Sequence, residues 1–269
     1  MRSQNKQKAR SQGFTLVELS IVIIIIGFLI AGIAAGNSLI KQAALNSIIT
    51  DLQGYQTAYN SFVQRYSGVP GDIVNAESYW PAGGATACGD TANNCNGNGD
   101  GLIDRGASTA PDETHAAWKE MSLAGMITAG INTVPDTTLS EVVGESTPAS
   151  KISGAGYAMI GAGMRVGDGA VGPVFSPWGD SITNAVFLGK ASVGEVGLGA
   201  SSLKPEDAFN LDRKVDDGSV SGALFSGAST GNFRTVTGGD TLSTCAINTG
   251  ADYDLNVTDV TCISGLALN

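Results

Sequence analysis

At 269 residues the chain can hold one or two domains with a sizeable core, and 42% hydrophobic with 15% charged residues excludes a disordered polymer. The formal net charge of -10 is unevenly spread: residues 1–13 carry Arg2, Lys6, Lys8 and Arg10 and no acid, so the chain from Phe14 onward is more acidic still. An acidic body repels phosphate backbones, which argues against nucleic acid as a partner.

The first predicted element comes directly after the basic leader. Gly13 is succeeded by Phe14-Thr15-Leu16-Val17-Glu18-Leu19 and then by an apolar run without charge from Leu19 to Ile40. As a helix that run reaches about 33 Å, enough to cross the hydrocarbon layer. The basic leader stays cytoplasmic by the positive-inside rule, with everything after Lys41 on the far side and Lys41 snorkelling to that interface. An ordinary cleaved secretory signal has a shorter apolar stretch. A plain signal anchor fits the length but leaves Glu18 unexplained, because a lone carboxylate there costs a few kcal/mol.

These residues resemble the signal of type IV prepilins and type II secretion pseudopilins: a basic leader ending in Gly, then Phe-Thr-Leu-Val-Glu. The resemblance implies cleavage after Gly13 by a membrane aspartyl prepilin peptidase and methylation of the new amine on Phe14. Glu18 of one subunit can then pair with Phe14 of a neighbour, relieving the desolvation of both groups and fixing their register. Gly27, Ala31, Gly32, Ala34, Ala35 and Gly36 offer a small-residue surface for close helix packing.

Past the membrane the helix changes pattern. Leu45, Ile48, Ile49, Leu52, Tyr55, Tyr59, Phe62, Val63 and Tyr66 recur at three- and four-residue spacing, one apolar stripe to lay against a soluble domain. The predicted organisation is therefore a leader at 1–13, a transmembrane and filament-core helix at 14–40, its amphipathic continuation at 41–66, and a head domain at 67–269. Gly54 is a weak point costing about 1 kcal/mol. Gly68-Val69-Pro70-Gly71-Asp72 breaks the helix, and residues 75–80 come next as a helical turn or loop. Tyr66–Asp72, Asn75-Ala76 and Tyr79-Trp80 resemble the segment after the long helix in a group of large pilin-like proteins. Ala117–Ile127 resembles that group's second helix.

Between these helices, Asn96, Asn98, Asp100, Leu102 and Asp104 place oxygen ligands at alternate positions, with Gly101 sixth, like the front of an EF-hand-type calcium loop. The twelfth position is Ala107 instead of Glu, so Glu113 or Asp90 would have to fold back, and affinity would be weak, near millimolar. The alternative is an Asn/Gly turn cluster stapled by Cys88 and Cys95.

The four cysteines allow three connectivities. Local pairs, Cys88 with Cys95 and Cys245 with Cys262, are preferred because each closes a short loop, and disulfides imply an oxidising, exported location. A zinc site competes poorly: there is no CxxC spacing, and His115, read as a surface residue, is the only histidine.

From residue 131 onward, short apolar runs such as Tyr157–Ile160, Val171–Phe175 and Ala185–Leu188 alternate with Gly, Pro, Ser and Asp, a β-rich pattern. Ala208–Gly218 resembles a C-terminal patch of the same pilin-like group, and its acids read as a solvated turn in preference to a second cation site. Gly227-Ala-Ser229-Thr-Gly231 and Gly167-Asp-Gly169-Ala-Val-Gly172 mimic enzyme motifs without their strand and helix context. The expected fold is α+β and pilin-like, one long N-terminal helix packed on a β-rich, loop-rich domain.

The expected role is a non-enzymatic structural subunit of a type IV pilus-like extracellular filament, a homo-oligomer held in the bacterial inner membrane before assembly. The resemblance implies prepilin peptidase, an assembly platform and an ATPase as partners. A type II secretion pseudopilin is the alternative within that class, and a membrane-tethered, calcium-dependent adhesin the alternative outside it.

Overall fold

The computed structural model describes residues 15–81, 95–104, 113–131, 142–161, 183–191, 198–216, 231–237, 245 and 253–268. Helix α1 runs Leu16–Tyr66, and a single 3-10 turn comes next at Ala76–Ser78. Helix α2 is Glu113–Leu123, strand β1 Ala155–Gly161, strand β2 Asn184–Lys190, and helix α3 Pro205–Val215. Strands β3, Phe233–Thr237, and β4, Cys262–Ala267, complete the elements. The chain divides into two units, Met1–Ala43 and Ala44–Asn269, with α1 contributing to both.

In the second unit, the strands form one antiparallel sheet of order β1-β2-β4-β3. Tyr157, Met159, Val186, Leu188 and Leu266 lie in one apolar cluster with the head half of α1. Ala158, Ile160, Ala185, Phe187, Ile263 and Ala267 form a second cluster with Leu198. Because both faces of the sheet are covered, β1, β2 and β4 are apolar runs instead of alternating ones. The runs read as Tyr157–Ile160 and Ala185–Leu188 fall in β1 and β2, while Val171–Phe175 lies outside the described residues.

The expected stripe on α1 is the one that packs: Leu45, Ile48, Leu52, Tyr59 and Phe62 are buried, with Ala58 beside them. Polar side chains also tie this half of α1 to the sheet. Tyr157 Oη donates to Asp51 Oδ2 at 2.9 Å, and Gln56 Nε2 donates to the Ala267 carbonyl at 2.7 Å. The helix runs unbroken through Gly54 and stops at Ser67, whose φ of 55° is left-handed.

The structure corrects two expectations. Helix α2 starts at Glu113, and Glu113 to Met121 are all buried. His115 is therefore a core residue at 1% exposure and not a surface one, because α2 lies under other elements along its first two turns. The acidic patch at 208–218 is no turn either: its described part is the body of α3, with Pro205 at the helix start and Asp212 buried against Tyr253. Cys245 and Cys262 are joined with Cα atoms 5.1 Å apart, and Cys95 is also in a disulfide. Cys88 lies outside the described residues, as do Ser229 and residues 167–172 of the two enzyme-like strings.

Candidate functional site

The first candidate is the start of α1. Gly13 and Phe14 lie outside the described residues, and Thr15 is the cap of the helix. Glu18 Oε2 accepts the Thr15 N–H and the Thr15 hydroxyl, both at 2.8 Å, and the Glu18 N–H donates back to Thr15 Oγ1 at 3.2 Å. This reciprocal pair is a capping box: each side chain satisfies a backbone N–H left orphaned at the first turn. The Thr-x-x-Glu spacing is readable in the sequence and gives Glu18 a role within its own helix, whatever the helix does in the membrane. It uses one carboxylate oxygen for both accepted bonds.

Beyond that turn the apolar surface is open. Leu16 is 87% and Phe28 76% exposed, and Ile21 to Ile26, Leu29, Ile30, Ile33, Leu39 and Ile40 are exposed likewise. A side chain built on Gly27, Gly32 or Gly36 would meet nothing. The helix is long and apolar enough to cross a membrane, with mean hydropathy 2.8 over its most apolar window. A continuous apolar surface of this size on a secreted or soluble chain marks a lipid or protein contact.

The second candidate is the loop 96–104, which is built from both sides by carboxylates on other elements. Asp72, buried in the turn after α1, accepts the Gly99 N–H and, at 2.7 Å, the Gly101 N–H. Glu113, at the start of α2, accepts the Asn98 N–H at 3.0 Å with one oxygen and the Asp104 N–H at 2.7 Å with the other. Glu113 does fold back onto the loop as expected of a substitute ligand, but both its oxygens hold loop amides. Asp90 lies outside the described residues. Gly97 is obligatory here, since a Cβ would fall 2.3 Å from Asp72 Cα.

Within the loop, Asn98 Oδ1 accepts the Asp100 N–H at 2.8 Å and Asp100 Oδ1 accepts the Leu102 N–H at 2.9 Å. These are Asx turns. Asn98 Nδ2 donates to Asp104 Oδ2 at 3.2 Å, and Asn96 Oδ1 accepts the Glu77 N–H at 3.1 Å. The five residues of the expected calcium loop are thus gathered in one loop, with their oxygens largely occupied by N–H groups, as in the turn-cluster alternative. Among the described residues no three His, Cys, Asp or Glu side chains are arranged to hold a metal.

Negative charge is crowded at this place. Burial pushes the Glu113 carboxyl up to about 7, with the charges of Asp72 and Asp104 adding, against the lowering effect of its amide bonds. Burial likewise raises Asp104, with Asp100 next. Glu120, two turns beyond Glu113 along the same face of α2, is fully buried. Its Oε2 accepts the Gly71 N–H at 2.6 Å, and its other oxygen has no hydrogen-bond partner among the described residues. Burial holds it well above the ordinary carboxylate range.

Asn184 at the start of β2 locks this loop to the core. Its Oδ1 accepts the Ile103 N–H at 2.8 Å, and its Nδ2 donates to the Gly101 carbonyl at 2.9 Å and to Tyr59 Oη at 3.0 Å. Asp72, Glu120 and Asn184 escape sequence reasoning: each acts on residues 27 to 125 positions away, and nothing local marks it.

Compared with known proteins, residues 8–34 match the family described as the prokaryotic N-terminal methylation motif. That motif is the prepilin signal of type IV pilins and pseudopilins, and one long N-terminal helix packed on a small antiparallel sheet is a pilin-like α+β layout. The match is to a structural, pilin-type motif and not to an enzyme family. No curated protein and no solved structure matches the chain. The motif implies processing by prepilin peptidase, and with the apolar α1 it indicates anchoring in the inner membrane.

Proposed function

We propose that this chain is the structural subunit of a type IV pilus-like extracellular filament, assembled through α1 after cleavage between Gly13 and Phe14. One observation carries the reading: the helix that bears the methylation signal exposes an unbroken apolar surface with a single acid, Glu18, in its first turn. In lipid that surface is solvated, but among the described residues the carboxylate accepts hydrogen bonds on one oxygen only. The amine created on a neighbouring Phe14 supplies the missing positive partner, and association of the helices satisfies both. The open glycines at 27, 32 and 36 permit close backbone approach.

On this reading the work of the chain is mechanical, and extension is driven by a separate ATPase through an assembly platform. Loop 96–104 is proposed to take a calcium ion weakly from the outside medium, with Asn98, Asp100 and Asp104 as side-chain donors and the Leu102 carbonyl beside them. Crowded negative charge from Asp72, Asp100, Asp104 and Glu113 supports this, since a cation relieves it.

Mass spectrometry of the mature N-terminus tests the assembly reading. The expected first residue is methylated Phe14, in protein recovered from filaments sheared off the cell surface. Filaments confined to the periplasm would assign the chain to a secretion pseudopilus instead. A protein that keeps residues 1–13 and stays monomeric in the membrane overturns the proposal.

A further inference from the structure

The sequence contains one Asn-x-Ser/Thr triplet, Asn256-Val257-Thr258, and an acid, Asp254, stands two residues ahead of it. The triplet lies on an exposed turn between Tyr253 and β4, inside the stretch closed by the Cys245–Cys262 disulfide. Its base is fixed: Tyr253 and Cys262 are buried, and the Asp254 N–H donates to the Cys245 carbonyl at 3.1 Å. Its tip is not covered. Leu255 is 54% exposed, and Asn256, Thr258, Asp259 and Val260 are exposed with it.

The local geometry concerns the carboxamide itself. The Val257 N–H donates to the Asp254 carbonyl at 3.1 Å, placing Leu255 and Asn256 at the corners of a β-turn. Asp254 Oδ1 accepts the Asn256 backbone N–H at 3.1 Å and the Asn256 Nδ2 at 3.3 Å. A carboxamide nitrogen is a poor nucleophile because its lone pair is delocalised into the carbonyl. A carboxylate that accepts one of its N–H bonds holds the group in a fixed direction in the turn. Asn-x-Ser/Thr on a surface loop of an exported protein is the acceptor pattern for N-linked sugar.

We propose that Asn256 is an N-glycosylation acceptor, modified on the exported side of the membrane by a transferase that uses a lipid diphosphate-linked oligosaccharide. Asn256 Nδ2 forms a bond to the anomeric carbon of the sugar as the anomeric C–O bond to the diphosphate breaks. The electron pair leaves with the lipid diphosphate, and one Nδ2 proton passes to a base of the transferase. No redox partner is needed. The inference rests on the export reading above, because donor and acceptor must meet beyond the inner membrane.

The test uses protein purified from its native host and digested with trypsin after reduction. No Lys or Arg occurs after Arg234, so Asn256 is carried on the single peptide 235–269, while the peptide from Phe14 to Lys41 reports processing. The expected result is a glycan mass on peptide 235–269, absent in Asn256→Gln and Thr258→Ala and retained in Thr258→Ser. Methylated Phe14 with peptide 235–269 at its unmodified mass overturns this inference while leaving the export reading intact. An uncleaved leader overturns the export reading instead. A mass increment that persists in Asn256→Gln places the sugar elsewhere and overturns the site.

Discussion

Glu18 Oε2 accepts both hydrogen-bond donors of Thr15, the backbone N–H and the hydroxyl, at 2.8 Å each. The acid that the apolar segment carries is thus a helix cap within its own subunit before it is a partner for another. Two roles on one side chain call for two substitutions. Glu18→Ala removes both the cap and the charge. Glu18→Gln keeps a capping-box acceptor but carries no charge.

The expected outcome is that both variants lose filaments, at least ten-fold in the yield sheared from cells, while Glu18→Gln keeps its helix and its membrane level. Electron microscopy and immunoblotting of sheared and membrane fractions measure this. Wild-type filament yield from Glu18→Gln would show that the charge pairs with nothing between subunits and that Glu18 serves the helix start alone.

Asn184→Ala is expected to be among the more damaging substitutions in the head. It deletes three hydrogen bonds and leaves the Ile103 N–H, buried in the core, without its acceptor. Stranded buried groups cost about 1–3 kcal/mol each, so a loss of about 3 kcal/mol is expected. For a head of this size that lowers the melting temperature by roughly 6–12 °C. Circular dichroism of detergent-solubilised protein reads it, and a shift under about 2 °C would mean that the loop does not depend on Asn184.

The range of each interaction decides how much of it is legible in the sequence. The head half of α1 announces itself because Leu45, Ile48, Leu52, Tyr59 and Phe62 repeat at helical spacing along one segment, and the structure buries that stripe. Strands β1 and β2 are visible as apolar runs for the same local reason. The loop 96–104 is recognisable as one unit, and Glu113, nine residues past Asp104, is near enough in sequence to be expected to fold back on it. Its other anchors, Asp72 and Asn184, arrive from the end of α1 and the start of β2, and no spacing rule links them. His115 reads as a surface residue because a short polar stretch beginning a helix looks solvated until the neighbouring elements close over it. The capping box at Thr15 is local and readable, yet the apolar segment around it draws the reading of Glu18 toward the membrane.

Glu120 is expected to contribute stability to the head in acid that is lost as pH rises. Its carboxyl is raised by burial, so between the ordinary carboxylate range and its raised value the folded chain binds a proton that the unfolded chain does not. Stability therefore falls as pH rises through that window, by up to about 1.4 kcal/mol per pH unit for one group. Glu120→Gln keeps an acceptor for the Gly71 N–H and removes the titration. The variant is expected to melt at a temperature less dependent on pH above the ordinary carboxylate range, and above the native protein once the native carboxyl is forced to ionise. Glu113 leaves a residual slope in the same direction. An unchanged pH profile in Glu120→Gln would mean that this carboxylate is ionised and compensated in the native head.

The calcium proposal turns on a competition for oxygens. In the loop as folded, Asn98 Oδ1 and Asp100 Oδ1 accept main-chain N–H groups, and the Asn98 amide donates to Asp104. A cation must be shared with those bonds or replace the last of them, with Asn98 turning its oxygen inward. Its gain is relief of the repulsion between Asp104 and Asp100 and between Glu113 and Asp72. With neutral Asn among the donors, affinity is expected near millimolar. At a calcium concentration ten times the dissociation constant, a site in the folded state alone stabilises by about 1.4 kcal/mol. That is a rise of roughly 3–6 °C in melting temperature. Magnesium at the same ionic strength is expected to give little, because it demands a tighter octahedron. Asp104→Asn removes a charged donor and is expected to abolish the calcium-dependent rise while the calcium-free protein melts no lower. Equal shifts from both cations would reduce the effect to screening of an acidic surface, and no shift from either would leave residues 96–104 as a turn cluster held by Asp72 and Glu113.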